Sequence, residues 1–303
     1  MDFSRTGIEI GPFDILGVTI NPTLHFYGLL AVTGILVGGA LAAWLAKKDE
    51  KDPDHVWNGL IRAVIAGVIG ARLWFVFFPP ITSIEAGRDT AWMLRNFFDL
   101  NDGPLAIWTG GLGIYGAVIG GFVGVMLYAR RAKLKNLWEW VDIAIIAFPM
   151  GHAIGRWGNY VNQELYGKPT DLPWAISIDN PPAEYANAAG FHPLFLYESL
   201  WNVGLCIFLV WLWFKYRDRL KSGTFLLLYL IGYNIIRFLL EFLRIETARV
   251  PGTDINSSQT TSAITVVIAI AILIYMYRFA RKPQVHPDGR PVGKPKKASK
   301  AKS

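Results

Sequence analysis

Hydrophobic positions in this chain come in long unbroken blocks rather than in alternation. Seven blocks, at 24–45, 56–78, 107–129, 141–154, 195–214, 225–243 and 262–277, are separated by polar stretches. Most are long enough, at about 1.5 Å per helical residue, to cross a hydrocarbon layer of roughly 30 Å. The pattern predicts an all-α polytopic integral membrane protein with seven transmembrane helices. The fourth block, 141–154, is short for a crossing, which takes roughly 20 residues. It predicts a helix that breaks where the polar stretch 155–167 begins, and irregular backbone at that depth has to line an enclosed or watery cavity. Two connections are long. The first, 79–106, contains an amphipathic segment, 91–100, expected to lie as a helix on the membrane surface. The second, 168–193, carries Pro169, Pro173, Pro181, Pro182 and Pro193. It predicts extended, turn-rich chain with a short strand at 174–178.

Composition agrees with the blocks. Of the 303 residues 52% are hydrophobic and only 17% charged, too apolar for an ordinary soluble domain. Twelve Trp and twelve Tyr suit the two membrane interfaces. Basic residues then set the orientation. Lys47, Lys48 and Lys51 follow the first block; Arg130, Arg131, Lys133 and Lys135 the third; Lys215, Arg217, Arg219 and Lys221 the fifth. Nine more run from Arg278 to Lys302, so twenty of the thirty lie on one side. The positive-inside rule makes that side cytoplasmic, with the N-terminus outside and the C-terminus inside. The net charge of +7 is therefore a topology signal and a tail, and predicts no nucleic-acid partner. Residues 1–21 lack a basic segment followed by an apolar core and a small-residue cleavage site, so no removable leader is expected. Residues 1–280 read as one membrane catalytic domain and 281–303 as a disordered basic tail. No internal repeat is evident, which weighs against a transporter built on inverted halves. Cys206 sits mid-block and reads as a small buried hydrophobe.

The polar groups inside the blocks carry the chemistry. Gly155-Arg156-Trp157-Gly158-Asn159 opens a stretch that continues through Asn162, Gln163 and Glu164 to Gly167. Charge at membrane depth is costly and usually marks a pathway or a site. In the sixth block Tyr233, Arg237, Glu241 and Arg244 recur at steps of four, four and three, so they share one helix face. An Arg237–Glu241 pair that merely neutralises itself is the competing reading. Glu198 lies one turn inside the fifth block, where it would neutralise a buried arginine. Arg72 closes the second block beside Gly70 and Ala71. Seven glycines, from Gly110 to Gly124, crowd the third block around Tyr115, allowing close approach of another backbone or an acyl chain. His152, four residues before Arg156, reads first as a satisfied core histidine. No His/Cys/carboxylate cluster has metal-ligand spacing and no nucleophile turn is present, so neither a metal nor a cofactor is expected. Buried guanidinium forks match phosphate oxygens, and at the outer leaflet that phosphate is a phospholipid headgroup.

These segments resemble the phosphatidylglycerol–prolipoprotein diacylglyceryl transferase family of bacterial plasma membranes. The likeness rests on His25-Phe26-Tyr27-Gly28, Gly70-Ala71-Arg72, Ile107-Trp108-Thr109-Gly110-Gly111, the 155–167 stretch, His192-Pro193 with Tyr197-Glu198, and Arg237 to Arg244, in the family's order. The resemblance implies transfer of diacylglyceryl from phosphatidylglycerol to the lipobox cysteine thiol of a preprolipoprotein signal peptide. Glycerol-1-phosphate would be released into the outer side of the inner membrane. It implies Arg156 and Arg237 as the essential cations, and Tyr27, Asn159, Glu164, Gly167 and Tyr233 as site residues. Arg244 resembles a residue near a gate, and Arg72, Glu241 and His192 join the expected substrate-binding set. Many members carry a histidine where this chain has Tyr115, so either that histidine is not a required base or Tyr115, His152 or His25 substitutes for it; Tyr115 is counted with Arg156 and Arg237 as catalytic, in a positioning role. A phospholipid or anion transporter and an inactive lipid-binding relative remain the alternatives.

Overall fold

The computed structural model describes residues 2–9, 11, 13–15, 18–20, 23–99, 103–106, 111–245, 247, 249 and 252–279. The expected motif at 107–110 and the tail at 281–303 lie outside them. The long helices are α1 (Phe26–Lys48), α2 (Asp54–Phe77), α5 (Ile114–Arg131), α6 (Leu137–Gly155), α8 (Leu194–Tyr216), α9 (Thr224–Leu240) and α10 (Ser257–Arg278). Three short α-helices, α3 (Ile81–Glu85), α4 (Thr90–Arg95) and α7 (Trp157–Asn162), and 3-10 turns at Ala183–Tyr185 and Glu241–Leu243 complete the helical set among the described residues. Among the described residues six segments are long and apolar enough to cross a membrane, α6 and α7 counting as one from Leu137 to Asn162. The 18-residue α5 is not among them, because four glycines and the closing Arg130-Arg131 dilute its apolar run.

The all-α expectation needs correction at the N-terminus. Strands β1 (Asp2–Phe3), β2 (Gly7–Glu9) and β5 (Thr23–His25) form an antiparallel sheet in the order β1-β2-β5, with Gly7 opposite His25. Strands β3 (Phe13–Ile15) and β4 (Val18–Ile20) form a separate hairpin. β5 runs straight into α1, so this sheet fixes where the first helix begins. Two other expectations shift. The helix expected at 91–100 is shorter, Thr90–Arg95, and the Asp89 carboxylate caps it by accepting the Trp92 N–H at 2.7 Å. The strand expected at 174–178 is a single bridge, Ile176 to Phe191, and the neighbouring chain forms turns.

The core lies toward the ends where lysine and arginine collect. Leu45 and Ala46 of α1, Ile143 and Ile146 of α6, and Leu209 and Trp213 of α8 form one buried cluster with Phe225 and Tyr229 of α9. Asp142, a residue the sequence analysis passed over, locks α9 to α6 there. Its two oxygens accept the Gly223 N–H at 2.7 Å and the Leu226 N–H at 3.1 Å, satisfying orphan donors at the start of α9. Among the same helices, the far ends hold only a small second cluster, Leu194, Ile236 and Leu240. Apolar packing therefore closes the basic end and leaves room at the other.

α5 packs on α2, backbone against backbone. A Cβ added at Gly70 would stand 2.3 Å from the Gly116 carbonyl oxygen, and one at Gly116 would stand 2.1 Å from that of Gly70. The glycines of the third block thus serve helix contact rather than an acyl chain. Arg72, buried beside them, donates to the carbonyls of Pro104 at 2.5 Å, Gly111 at 2.9 Å, and Gly103 and Ala106 at 3.0 Å each. The guanidinium gathers the connection back onto α2. Arg72→Met is expected to remove roughly 3 kcal/mol of stability by stranding these acceptors, read as a lower midpoint of thermal unfolding in detergent. An unchanged midpoint would show that these hydrogen bonds do not hold the connection.

Candidate active site

α6 delivers the first cation. Pro149 inside the helix removes one backbone hydrogen bond, and the helix ends at Gly155, with α7 starting at Trp157. Arg156 sits at this junction, where the sequence predicts a break. Its Nη2 donates to Glu198 Oε1 of α8 at 2.5 Å, and its Nη1 donates to Asn159 Oδ1 of α7 at 3.2 Å. Asn159 passes the link on by donating Nδ2 to Glu164 Oε1 at 2.8 Å. The Glu198 side chain is only 5% exposed, so a formal ion pair is held almost wholly out of water.

α9 delivers the second cation. Arg237 Nη2 lies 3.2 Å from Glu241 Oε2, and Arg244 Nε lies 3.9 Å from the same oxygen. The Glu241 side chain has no exposed surface, and its Oε1 accepts from Asn256 Nδ2 at 3.3 Å. Arg237 also donates to Ser258 Oγ of α10 at 3.3 Å. The predicted face is therefore real, but it does not merely neutralise itself within α9. Arg156, Asn159, Glu198, Arg237 and Arg244 line a single tight cavity of about 10 Å³, walled by Leu194, Phe195 and Leu240. Tyr233 faces the same cluster, its ring 5.2 Å from that of His152.

Backbone closes the rim. Gly167 bridges to Arg244, its N–H donates to the His192 carbonyl at 2.9 Å, and Lys168 N–H donates to the Leu243 carbonyl at 2.7 Å. The His192 imidazole turns to the Tyr197 hydroxyl at 3.1 Å rather than to an arginine. Tyr27 is 43% exposed and its ring packs on Gly158, where a Cβ would stand 2.4 Å from the ring. Tyr27 thereby joins α1 to α7 beside the cavity rather than lining it.

The cluster does not include three expected residues. Arg72, on α2, is engaged by carbonyls of the connection between 103 and 111. His25 is exposed at the end of β5. Tyr115 is 68% exposed on α5, its ring 5.5 Å from that of Trp74, and is not among the residues lining the cavity. Tyr115→Phe is expected to leave kcat and KM within about threefold of wild type, since a hydroxyl outside the cavity contributes little. A loss of 100-fold in folded protein, read by product mass, would restore the positioning role expected for it. Sequence reasoning missed Asn256 and Ser258, which stand at the start of the last helix and become site residues only through its packing on α9.

Two half-buried cations from different elements, each paired with a buried carboxylate, line one cavity beside apolar side chains. Residues 15–275 match the family model described as prolipoprotein diacylglyceryl transferase. The chain belongs to that family. It is similar to the phosphatidylglycerol–prolipoprotein diacylglyceryl transferases of Chloroflexus aggregans, at 36% identity over 91% of this chain and 93% of the relative, and of Synechococcus elongatus, at 35% over 91% and 88%. The protein of the same name from Synechocystis is 35% identical over 84% of this chain and 86% of its own length. Membership in a transferase family of membrane proteins makes the chain an enzyme.

Proposed function

We propose that the chain moves the diacylglyceryl group of phosphatidylglycerol onto the lipobox cysteine thiol of a preprolipoprotein. One observation carries the reading: Arg156 and Arg237, brought by α6 and α9, line one cavity at the end of the bundle away from the basic residues. In this reading the basic ends are cytoplasmic, the N-terminus lies outside, and α5 is the seventh span. The site then opens to the outer leaflet of the inner membrane, where phosphatidylglycerol and the signal peptide meet. Residues 1–280 act as the catalytic unit and 281–303 as a basic tail. The apolar cluster beneath the cavity supports an enzyme over a transporter, which would need access from both leaflets.

The chemistry is a displacement at an sp3 carbon. The sulfur–carbon bond forms as the carbon–oxygen bond to phosphate breaks, and the electron pair stays on the phosphate oxygen. The lipid phosphodiester carries one negative charge and the departing phosphomonoester carries up to two. Guanidinium groups fixed in a water-poor cavity bind the second state better, which is what accelerates the step. Arg156 and Arg237 supply this stabilisation, Asn159 and Glu164 hold Arg156 in place, and Tyr233 faces them. Arg244, with Gly167 and His192, forms the rim through which substrate passes. Purified protein, phosphatidylglycerol in detergent micelles and a lipobox peptide are expected to give a thioether-linked diacylglyceryl peptide and free glycerol phosphate. Peptide recovered unmodified, with lipid still whole, would defeat the proposal.

A further inference from the structure

The geometry points to Glu198 as the group that takes the proton from the incoming thiol, with His152 as its positioning partner. This rests on the transfer reading above and names the base that reading leaves open. Glu198 lines the cavity, so it can touch substrate. Its Oε1 sits 2.5 Å from Arg156 Nη2 and 3.6 Å from His152 Nε2, both on α6. Tyr229 and Tyr233 face it from α9. Arg237 and Arg244 share its cavity, Glu241 stands behind them, and Glu164 reaches the rim through Asn159. Of these groups Glu198, Glu241, Glu164 and His152 can accept a proton near neutrality. Glu241 is enclosed by two arginines and Asn256, and Glu164 is exposed. His152 does not line the cavity, and its Nδ1 is buried with no hydrogen-bond partner. That leaves Glu198 in contact with substrate and His152 one turn deeper.

Charge balance argues the same way. Three guanidiniums face two buried carboxylates, a surplus of one positive charge, which one phosphodiester anion neutralises. Transfer turns that monoanion into a phosphomonoester dianion. If the thiol proton goes to Glu198, the pocket loses one carboxylate charge as the phosphate gains one, and it stays neutral throughout. A base elsewhere would leave an extra negative charge in a medium that penalises it. Substrate itself arms the base. A guanidinium has five donors, and phosphate competes with Glu198 for those of Arg156, whose Nε is buried without a partner. A carboxylate that shares its counter-ion holds a proton more readily. The step then balances: sulfur bonds carbon, the carbon–oxygen bond opens onto phosphate, and the thiol proton moves to Glu198. His152 or the departing phosphomonoester removes that proton and restores the carboxylate.

The test is Glu198→Gln, which keeps the side chain's shape and a hydrogen bond to Arg156. With the micelle and peptide assay above, kcat is expected to fall about 100-fold at neutral pH. The deficit narrows as pH rises past about 8.5, where the thiol ionises unaided. KM for phosphatidylglycerol stays level or falls, because a charged competitor of phosphate for Arg156 has been replaced by a neutral, weaker one. A deficit equal at every pH with a raised KM would mean a structural counter-ion and overturn the assignment, as would a wild-type rate. His152→Gln carries the same pH signature at about three- to tenfold. It decides the matter if Glu198→Gln does not purify folded, a pH-parallel profile again being the overturning result. Wild-type protein that forms no thioether product at all would defeat the transfer reading instead.

Discussion

Alanine at Arg156 or at Arg237 is expected to lower kcat/KM for diacylglyceryl transfer by about a thousandfold, which is about 4 kcal/mol of transition-state stabilisation. The two cations reach the same cavity from α6 and α9, and in the proposed reaction each meets the charge that grows on the leaving phosphate. Removing a preorganised donor of this kind costs about a hundred- to a thousandfold in enzymes generally. Alanine has a second effect, because it strands Glu198 or Glu241, and breaking a buried pair destabilises by about 3–5 kcal/mol. Lysine separates the two effects. Arg237→Lys keeps a charge beside Glu241 but loses the planar fork, so stability near wild type with transfer down about ten- to a hundredfold is expected. Thermal unfolding and product mass, measured on the same preparations, read both quantities. Folded alanine variants with near-normal rates would remove these residues from the chemistry.

The sequence reading succeeds wherever one physical requirement dominates. Hydrocarbon thickness sets helix length, so the apolar blocks predict α1, α2, α6, α8, α9 and α10 with shifts of a few residues at their ends. Period alone places Arg237, Glu241 and Arg244 on one face, and the cost of a lone buried charge predicts that Glu198 pairs with an arginine. It goes astray where packing partners decide. Arg72 and Tyr115 both lie among small residues near one end of a span, as site residues do. Yet α2 and α5 pack on each other, so Arg72 meets loop carbonyls and Tyr115 meets Trp74. No local signal separates an arginine that binds carbonyls from one that awaits phosphate. The strands before α1 span two or three residues each, too short for an alternating pattern to register. Asn256 and Ser258 look like ordinary capping residues until α10 docks on α9.

Gly116→Val is expected to be the most damaging single change outside the cavity. The new Cβ would meet the Gly70 carbonyl oxygen at 2.1 Å and the Trp74 Cβ at 2.4 Å, and the oxygen belongs to backbone, so no rotamer change relieves it. The same line of contact continues at Gly120 against the Ala66 oxygen at 2.2 Å and at Gly124 against the Arg62 oxygen at 2.5 Å. α2 and α5 would have to part by about 1 Å along much of their length, in an interior that tolerates little void. Overpacking costs about 1–3 kcal/mol where side chains can adjust, and more where backbone blocks them. Parting these helices also loosens the hydrogen bond from Gly113 N–H to the Ala71 carbonyl and the Arg72 contacts to the following chain. Loss of well over 3 kcal/mol is therefore expected, seen as aggregation on extraction or a sharply lower Tm. Gly204→Ala is the matched control: Gly204 lies within α8 with no atom near enough to meet a new methyl group, and alanine there favours the helix by about 1 kcal/mol. If Gly116→Val unfolded at the wild-type temperature while Gly204→Ala did not gain, the backbone contact between α2 and α5 would not be what holds this part of the bundle together.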